Sequence, residues 1–256
     1  MIKTKSALSD NQMVVRAIKD SFETKWDEYQ LKKYASTSGE LIICEGENIG
    51  WERSFLLALK DAPQADYYAF ADQDDIWYNN KVETSYKRIK AIEEINGKSC
   101  PILVHTNSRI MNYETRTKSL FISDCAKNSS FENSFFNFFV QGSTMLINGS
   151  LKREALPFSK EVYLHDRYLH LIAEFIGVRA YIDMPTMDYR QHSNNEIGSR
   201  GTNIIKRLIF DRYFNQEDKI LFNYLHNCYK NKIQNSKIEK INIFFNIINT
   251  KCKHSI

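Results

Sequence analysis

The chain has 256 residues, 43% of them hydrophobic, with nine Gly and four Pro; that suffices for the core of one ordinary domain, with or without an appendage, and argues against low complexity. A net charge of +4 and a pI near 8.6 are too mild to imply nucleic-acid binding by themselves. Five widely spaced cysteines with no CxxC pair support neither a zinc site nor a disulfide framework.

Free thiols in a reducing compartment are expected. Met1-Ile2-Lys3-Thr4-Lys5 lacks the apolar run of a signal peptide. No window approaches the ~20 apolar residues of a bilayer span. A soluble, cytoplasmic protein is therefore predicted.

Val15, Ile18, Phe22, Trp26 and Tyr29, spaced by three or four, predict an amphipathic helix over 11–35. Leu41-Ile42-Ile43-Cys44 reads as a short strand. After Asn48-Ile49-Gly50, a second helix is predicted from Trp51 to Lys60, closed by Pro63. Tyr67-Tyr68-Ala69-Phe70-Ala71 is an aromatic-rich apolar run, and it predicts a short buried strand.

That strand delivers Asp72-Gln73-Asp74-Asp75-Ile76-Trp77. Carboxylates at the C-terminal end of a strand sit where open α/β sheets place ligand chemistry. Two carboxylates ~4 Å apart repel by roughly 4 kcal/mol at an effective dielectric near 20. A divalent cation relieves that repulsion, and hard oxygen ligands suit Mg²⁺ or Mn²⁺. An acidic surface turn is the plain alternative, but a solvated turn has no need of Trp77.

A third helix carries Val82, Tyr86, Ile89 and Ile92, with Gly97 as its stop. Ile102-Leu103-Val104-His105 and Thr144-Met145-Leu146-Ile147 read as further buried strands, with an aperiodic polar stretch near 113–130 between them. Leu164-His165-Asp166-Arg167-Tyr168 opens a helix over 166–177 whose apolar face is Leu169, Ile172 and Phe175. An Asp at that place also serves as a plain N-cap. Ala180-Tyr181-Ile182 and Met187-Asp188-Tyr189 read as short strands, and Tyr189-Arg190-Gln191-His192-Ser193-Asn194-Asn195 follows.

Strands alternating with helices to about residue 190 predict an α/β sheet. From Gly201 onward, ten Lys/Arg face four Asp/Glu among interspersed apolar residues. Two or three basic amphipathic helices are expected there. They either pack on the main domain or touch an anionic membrane face, where each basic residue contributes ~1 kcal/mol. The expected division is 1–200 for the main domain and 201–256 for the helical extension.

Several familiar chemistries are excluded. His165 and His170 are five apart and fall on different helix faces, so they do not make a zinc-protease pair. The acidic run lacks the glycine of an EF-hand loop, and no GxSxG, P-loop or GxGxxG occurs.

In order and spacing, Asn48-Ile49-Gly50, Ala71 to Trp77, Gln141-Gly142-Ser143-Thr144, His165-Asp166 and Tyr189 to Asn195 resemble the family 2 glycosyltransferases. Within that family they resemble the bacterial rhamnosyltransferase-like branch that builds surface polysaccharides. The likeness covers roughly residues 40–200. It implies a GT-A-like fold, a nucleotide-sugar donor (a dTDP- or UDP-sugar), a glycan or lipid-linked acceptor, and Mg²⁺ or Mn²⁺.

By matching motif, Asp74 would coordinate the metal on the donor diphosphate and Asp72 would face the ribose or sugar. Asn48 and Gly50 fall on the donor side, His192 at a further metal-ligand position, and Asp166 at the place of the catalytic base. Arg167 departs from the family's usual aromatic pair after that Asp. It implies either altered acceptor choice or an added salt bridge.

The chain also lacks the family's opening V-S-I-I-P-x-Y-N-like strand and the second strand ending in D-D-x-S. A GT-A-like domain truncated at its N-terminus is therefore expected, with two parallel strands on the nucleotide side missing. The residues leave two functions open: a metal-dependent, inverting sugar transferase, or a non-catalytic fragment or subunit that keeps the half-fold. A phosphohydrolase is remote for want of a nucleophile motif.

Overall fold

Apolar side chains alternate across a central sheet, and the strand pleat sorts them into two layers. Leu103 and Ile147 join a core on one face, while Ile102, Val104 and Leu146 join a second core on the other. A side-chain period of two produces this division. The computed structural model describes residues 15–18, 41–44, 51–72, 75–112, 118–121, 140–162, 164–191, 216–233 and 235–251.

In chain order the elements are β1 (Val15–Ile18), β2 (Leu41–Cys44), α1 (Trp51–Asp61), β3 (Tyr67–Ala69), β4 (Ile76–Trp77) and α2 (Lys81–Asn96). Then come β5 (Ile102–Asn112), β6 (Lys118–Leu120), a 3₁₀ turn (Gly142–Thr144), β7 (Met145–Asn148), α3 (Gly149–Ala155) and α4 (His165–Ile176). β8 (Val178–Gln191), α5 (Gln216–Tyr229) and α6 (Asn235–Lys251) complete the order.

The main sheet runs β3-β7-β5-β8-β4, with β6 paired to β5. β5 and β8 are parallel, and the other pairs are antiparallel. β1 and β2 form a separate parallel pair, with Val15 opposite Leu41 and Ile18 opposite Cys44.

α2 covers one face with Ile89 and Ile92. It stops at Gly97, whose φ of +80° suits a residue without Cβ and whose N–H donates to Glu93 O at 2.8 Å. The other face carries α4, every residue of which is buried. α4 lies against α1, α3, α5, β5 and β8. Leu221, Phe222 and Leu225 of α5 and Ile241 of α6 enter the same core, so both helices of the basic segment pack on the sheet domain.

Helix α4 carries charged groups inside, and those toward its C-terminal end are paired. Arg179 Nε donates to Glu174 Oε1. Arg179 Nη1 lies 3.3 Å from His105 Nε2, and His170 Nε2 lies 3.7 Å from the same Glu174 oxygen. Lys237 of α6 donates to the carbonyls of Glu174 and Gly177 at 2.9 and 2.8 Å. A cation there satisfies C-terminal carbonyls that the helix leaves open.

Several expectations need correction. Val15 and Ile18 lie in strand β1 and not in a helix; a spacing of three suits a helix turn, but pairing with β2 decides the local structure. The strand expected at 67–71 ends at Ala69. The two short strands at 180–182 and 187–189 are parts of one strand, β8, whose register against β5 shifts at Asn107. Part of the polar stretch near 113–130 forms β6. Among the described residues, no helix is long and apolar enough to cross a membrane.

Burial pushes the Glu174 carboxyl up, but His170 and the Arg179 charge outweigh it and hold it below its ordinary value of 4.5. The ionised pair therefore contributes fully above pH 4.5, and the contribution is lost as pH falls through the lower folded value. Glu174→Gln is expected to cost about 3–5 kcal/mol at neutral pH, the range for removing one partner of a buried pair. Urea unfolding of both proteins at neutral and at strongly acid pH checks this. A gap of equal size at both would mean that Glu174 acts by packing alone.

Candidate functional site

Strand β3 ends where its apolar run does. Phe70 is still buried, Ala71 and Asp72 are half-buried, and the acidic segment begins there. Four residues after Asp72 the chain re-enters the sheet as β4, with Ile76 opposite Asp188 and Trp77 opposite Met187. Both sides of the acidic segment are thus fastened, one in the core and one on β8.

The first turn of α4 comes to the same place. Asp166 is 8% exposed, and its Oδ1 accepts from the Arg167 backbone N–H at 2.8 Å. Burial raises its carboxyl from 3.8 to about 7. Backbone N–H groups and the Arg167 guanidinium oppose the rise, while the Asp72 charge adds to it. Asp72 and Asp166, far apart in sequence, therefore share one electrostatic environment. A cation favoured by carboxylate oxygens is the kind of group that relieves such crowding.

His165 fixes that turn from behind. Its ring stacks on Phe55 of α1 with centroids 4.3 Å apart and leans on Phe70 at 5.2 Å. A Cβ at Gly142 would overlap His165 Nε2, so the 3₁₀ turn needs a glycine there. Both His165 nitrogens and Ser143 Oγ are buried and have no hydrogen-bond partner among the described residues. Burial lowers the His165 pKa to about 3, so the ring is neutral at any working pH. The cavity behind Phe55 and Phe70 is apolar and holds only about 20 Å³, far too little for a sugar.

Of the residues singled out from sequence, Asp72 and Asp166 lie near enough for the charge of Asp72 to act on the Asp166 carboxyl. Asp74, His192, Asn48 and Gly50 lie outside the described residues. Among the described residues, no cluster of three His, Cys, Asp or Glu is arranged to hold a metal ion. Arg167 is 4% exposed, and its charge acts on Asp166 and His170, which favours the internal ion-pair alternative over an acceptor contact. Sequence reasoning missed the Phe55–His165–Phe70 stack; the aromatics at the end of β3 and in α1 were its one signal.

No protein-family model matches the chain. It is 30% identical over 160 residues to the dTDP-rhamnosyl transferase RfbG of Shigella flexneri, a match covering 59% of this chain and 52% of the relative. The chain thus spans about half the length of that curated relative. Among solved structures it resembles the crystal structure of S. aureus TarS 1-349, with a TM-score of 0.51 at 15% identity, covering 88% of this chain and 67% of that one. This likeness concerns the fold, a GT-A-like mixed α/β sheet flanked by helices.

The raised Asp166 value has a consequence for stability. The folded state keeps a proton that the unfolded chain gives up between pH 3.8 and about 7, so stability falls as pH rises through that window. Asp166→Asn, uncharged and of the same shape, removes the fall. The variant should match wild type near pH 4 and exceed it above pH 7 by up to about 4 kcal/mol, at ~1.4 kcal/mol per unit. Parallel pH profiles for the two proteins in chemical denaturation would contradict the buried-acid assignment.

Proposed function

We propose that the chain is a glycosyltransferase of the GT-A type. It moves a sugar, rhamnose by analogy with the relative's name, from a dTDP- or UDP-sugar to a cell-surface glycan or lipid-linked acceptor. The observation that carries this reading is that the charge of Asp72, at the end of β3, acts on the buried carboxyl of Asp166 at the start of α4.

Asp166 is the general base. A carboxyl near pH 7 is ionised in a useful fraction of molecules at neutral pH, yet basic enough to accept a proton. It takes the proton of the acceptor hydroxyl as that oxygen bonds to the anomeric carbon. The bond from that carbon to the phosphate oxygen breaks, the electron pair leaves with the nucleoside diphosphate, and the anomeric centre inverts. Asp72 faces the ribose or sugar, and Asn48 and Gly50 line the donor side. Asp74, with His192, would hold Mg²⁺ or Mn²⁺, which neutralises charge on the diphosphate when bound.

A nucleotide-sugar donor and a lipid-linked acceptor would put the protein at the cytoplasmic side of a membrane. Residues 201–256 would approach the membrane peripherally, through the exposed Ile238, Lys240 and Ile243 of α6.

Thermal unfolding with dTDP or UDP, with and without Mn²⁺, tests the donor site in wild type and in Asp74→Asn. Ligand at 100 times its dissociation constant stabilises by ~2.7 kcal/mol, a midpoint rise of roughly 5–10 °C for a domain of this size. The rise should need both the metal and Asp74. In turnover, Asp166→Asn should lower kcat by ~10²–10⁴, and wild-type rates should climb as pH rises through about 7. No nucleotide response in a protein that unfolds cooperatively would favour a non-catalytic subunit.

A further inference from the structure

We infer that His165 is a positioning residue for the candidate base: its ring is a wedge, held between Phe55, Phe70 and the bare backbone of Gly142, that sets the first turn of α4 and with it the direction of the Asp166 carboxyl. The inference rests on the glycosyltransferase reading and deepens it at the base.

His165 opens α4 and is 3% exposed. Its ring meets side chains from two other parts of the fold. Phe55 of α1 stacks on it with 4.3 Å between centroids and 27° between planes, and Phe70, just past β3, leans on it at 5.2 Å. Phe55 and Phe70 also meet each other edge to face at 6.1 Å. Stacked and edge-to-face contacts at such distances are favoured aromatic geometries.

The remaining wall is backbone. A Cβ on Gly142 would overlap His165 Nε2 and stand 3.0 Å from Cε1, so the ring edge takes the place of a side chain there. Hydrogen bonds hold that wall in place. The Thr144 N–H and Oγ1 both donate to Gln141 O, at 2.9 and 2.7 Å, and Ser108 Oγ of β5 donates to Gln141 Oε1 at 2.8 Å.

The ring acts through its shape. Buried polar atoms nearly always find partners, yet neither His165 nitrogen has one among the described residues. Burial keeps the ring uncharged at neutral pH. A phenyl ring would extend further from its Cβ and press on the Gly142 turn, whereas an imidazole is flat and short enough for the gap. Successive helix positions point roughly 100° apart. The Asp166 carboxyl therefore leaves the same turn in another direction, and a displaced wedge moves it with the turn.

The test compares wild type with His165→Ala, Gly142→Ala and the double variant, each checked for cooperative unfolding. Asp166 is followed through the NMR signal of its carboxyl carbon against pH, and turnover through release of dTDP from dTDP-rhamnose. His165→Ala removes the wedge; Gly142→Ala pushes it from the opposite side and alters no titratable group. Both should move the Asp166 midpoint down from about 7 by about one unit or more, as water reaches the loosened turn. Both should lower kcat about 10–100-fold and change the donor KM less than about threefold, the pattern for a reacting group displaced by ~1 Å. In the double variant Gly142→Ala should add nothing further, because the ring it would strike is gone. Should His165→Ala fail to fold, Phe55→Leu, which removes the stacking partner, takes its place beside Gly142→Ala.

Folded variants with lower melting points but an Asp166 midpoint still near 7 would make the ring a mere filler and overturn the proposal. Losses that simply add in the double variant, or a moved midpoint with unchanged kcat, would overturn it as well. A wild type that releases no nucleotide and binds neither dTDP nor UDP defeats the glycosyltransferase reading instead; the Asp166 midpoint reports on the wedge in either case.

Discussion

Burial of α4 on every side is the constraint on which the rest of the structure depends. A helix in that position is usually apolar all round, yet this one keeps His165, Asp166, Arg167, His170 and Glu174 inside. Each end therefore needs its own solution. At the C-terminal end, Arg179 answers Glu174 and Lys237 answers the open carbonyls. The carbonyl contacts come from α6, so the basic C-terminal segment helps to brace the helix that carries the candidate base. At the N-terminal end no such full answer exists. The backbone amides and Arg167 only partly offset the burial of Asp166, and the two His165 nitrogens go unanswered among the described residues.

The sheet turns that local cost into a site. β5 and β8 run parallel through its centre, and β4 clips onto β8 at Asp188 and Met187. β3 lies at the far edge of the order, beyond β7. The acidic segment must therefore pass from one edge of the sheet to the other within six residues, Phe70 to Asp75. A span that short is fixed by its ends.

Much of this was legible in the residues, and the exceptions have physical causes. α1, α2 and α4 show apolar groups at spacings of three and four, and Gly97 supplies a stop with the backbone freedom that the α2 terminus uses. β8 could not be read as one strand because Pro185 and Asp183 interrupt its apolar pattern. Its continuity comes from pairing with β5 across a register shift. β4 is two residues long and exists only because β8 pairs with it. Asp72 and Asp166 were visible as types in the right order, whereas their mutual influence is a product of folding alone.

On the proposed reading, the same burial that weakens the fold at Asp166 would equip it to act. An exposed aspartate near 3.8 would be ionised at neutral pH but too weak a base to draw a proton from a hydroxyl. Full burial with no compensation would hold the proton so firmly that the base would never form. The N-terminal turn of α4 lies between these limits: its amides and Arg167 favour the anion, and burial together with Asp72 favours the acid. The outcome near 7 is set first by burial, with the charge of Asp72 adding to it. Proteins commonly give up stability where a local rule is broken for function. Here the broken rule is a carboxyl in the core, and one of the neighbours that tune it, Asp72, is also one that the donor reading requires.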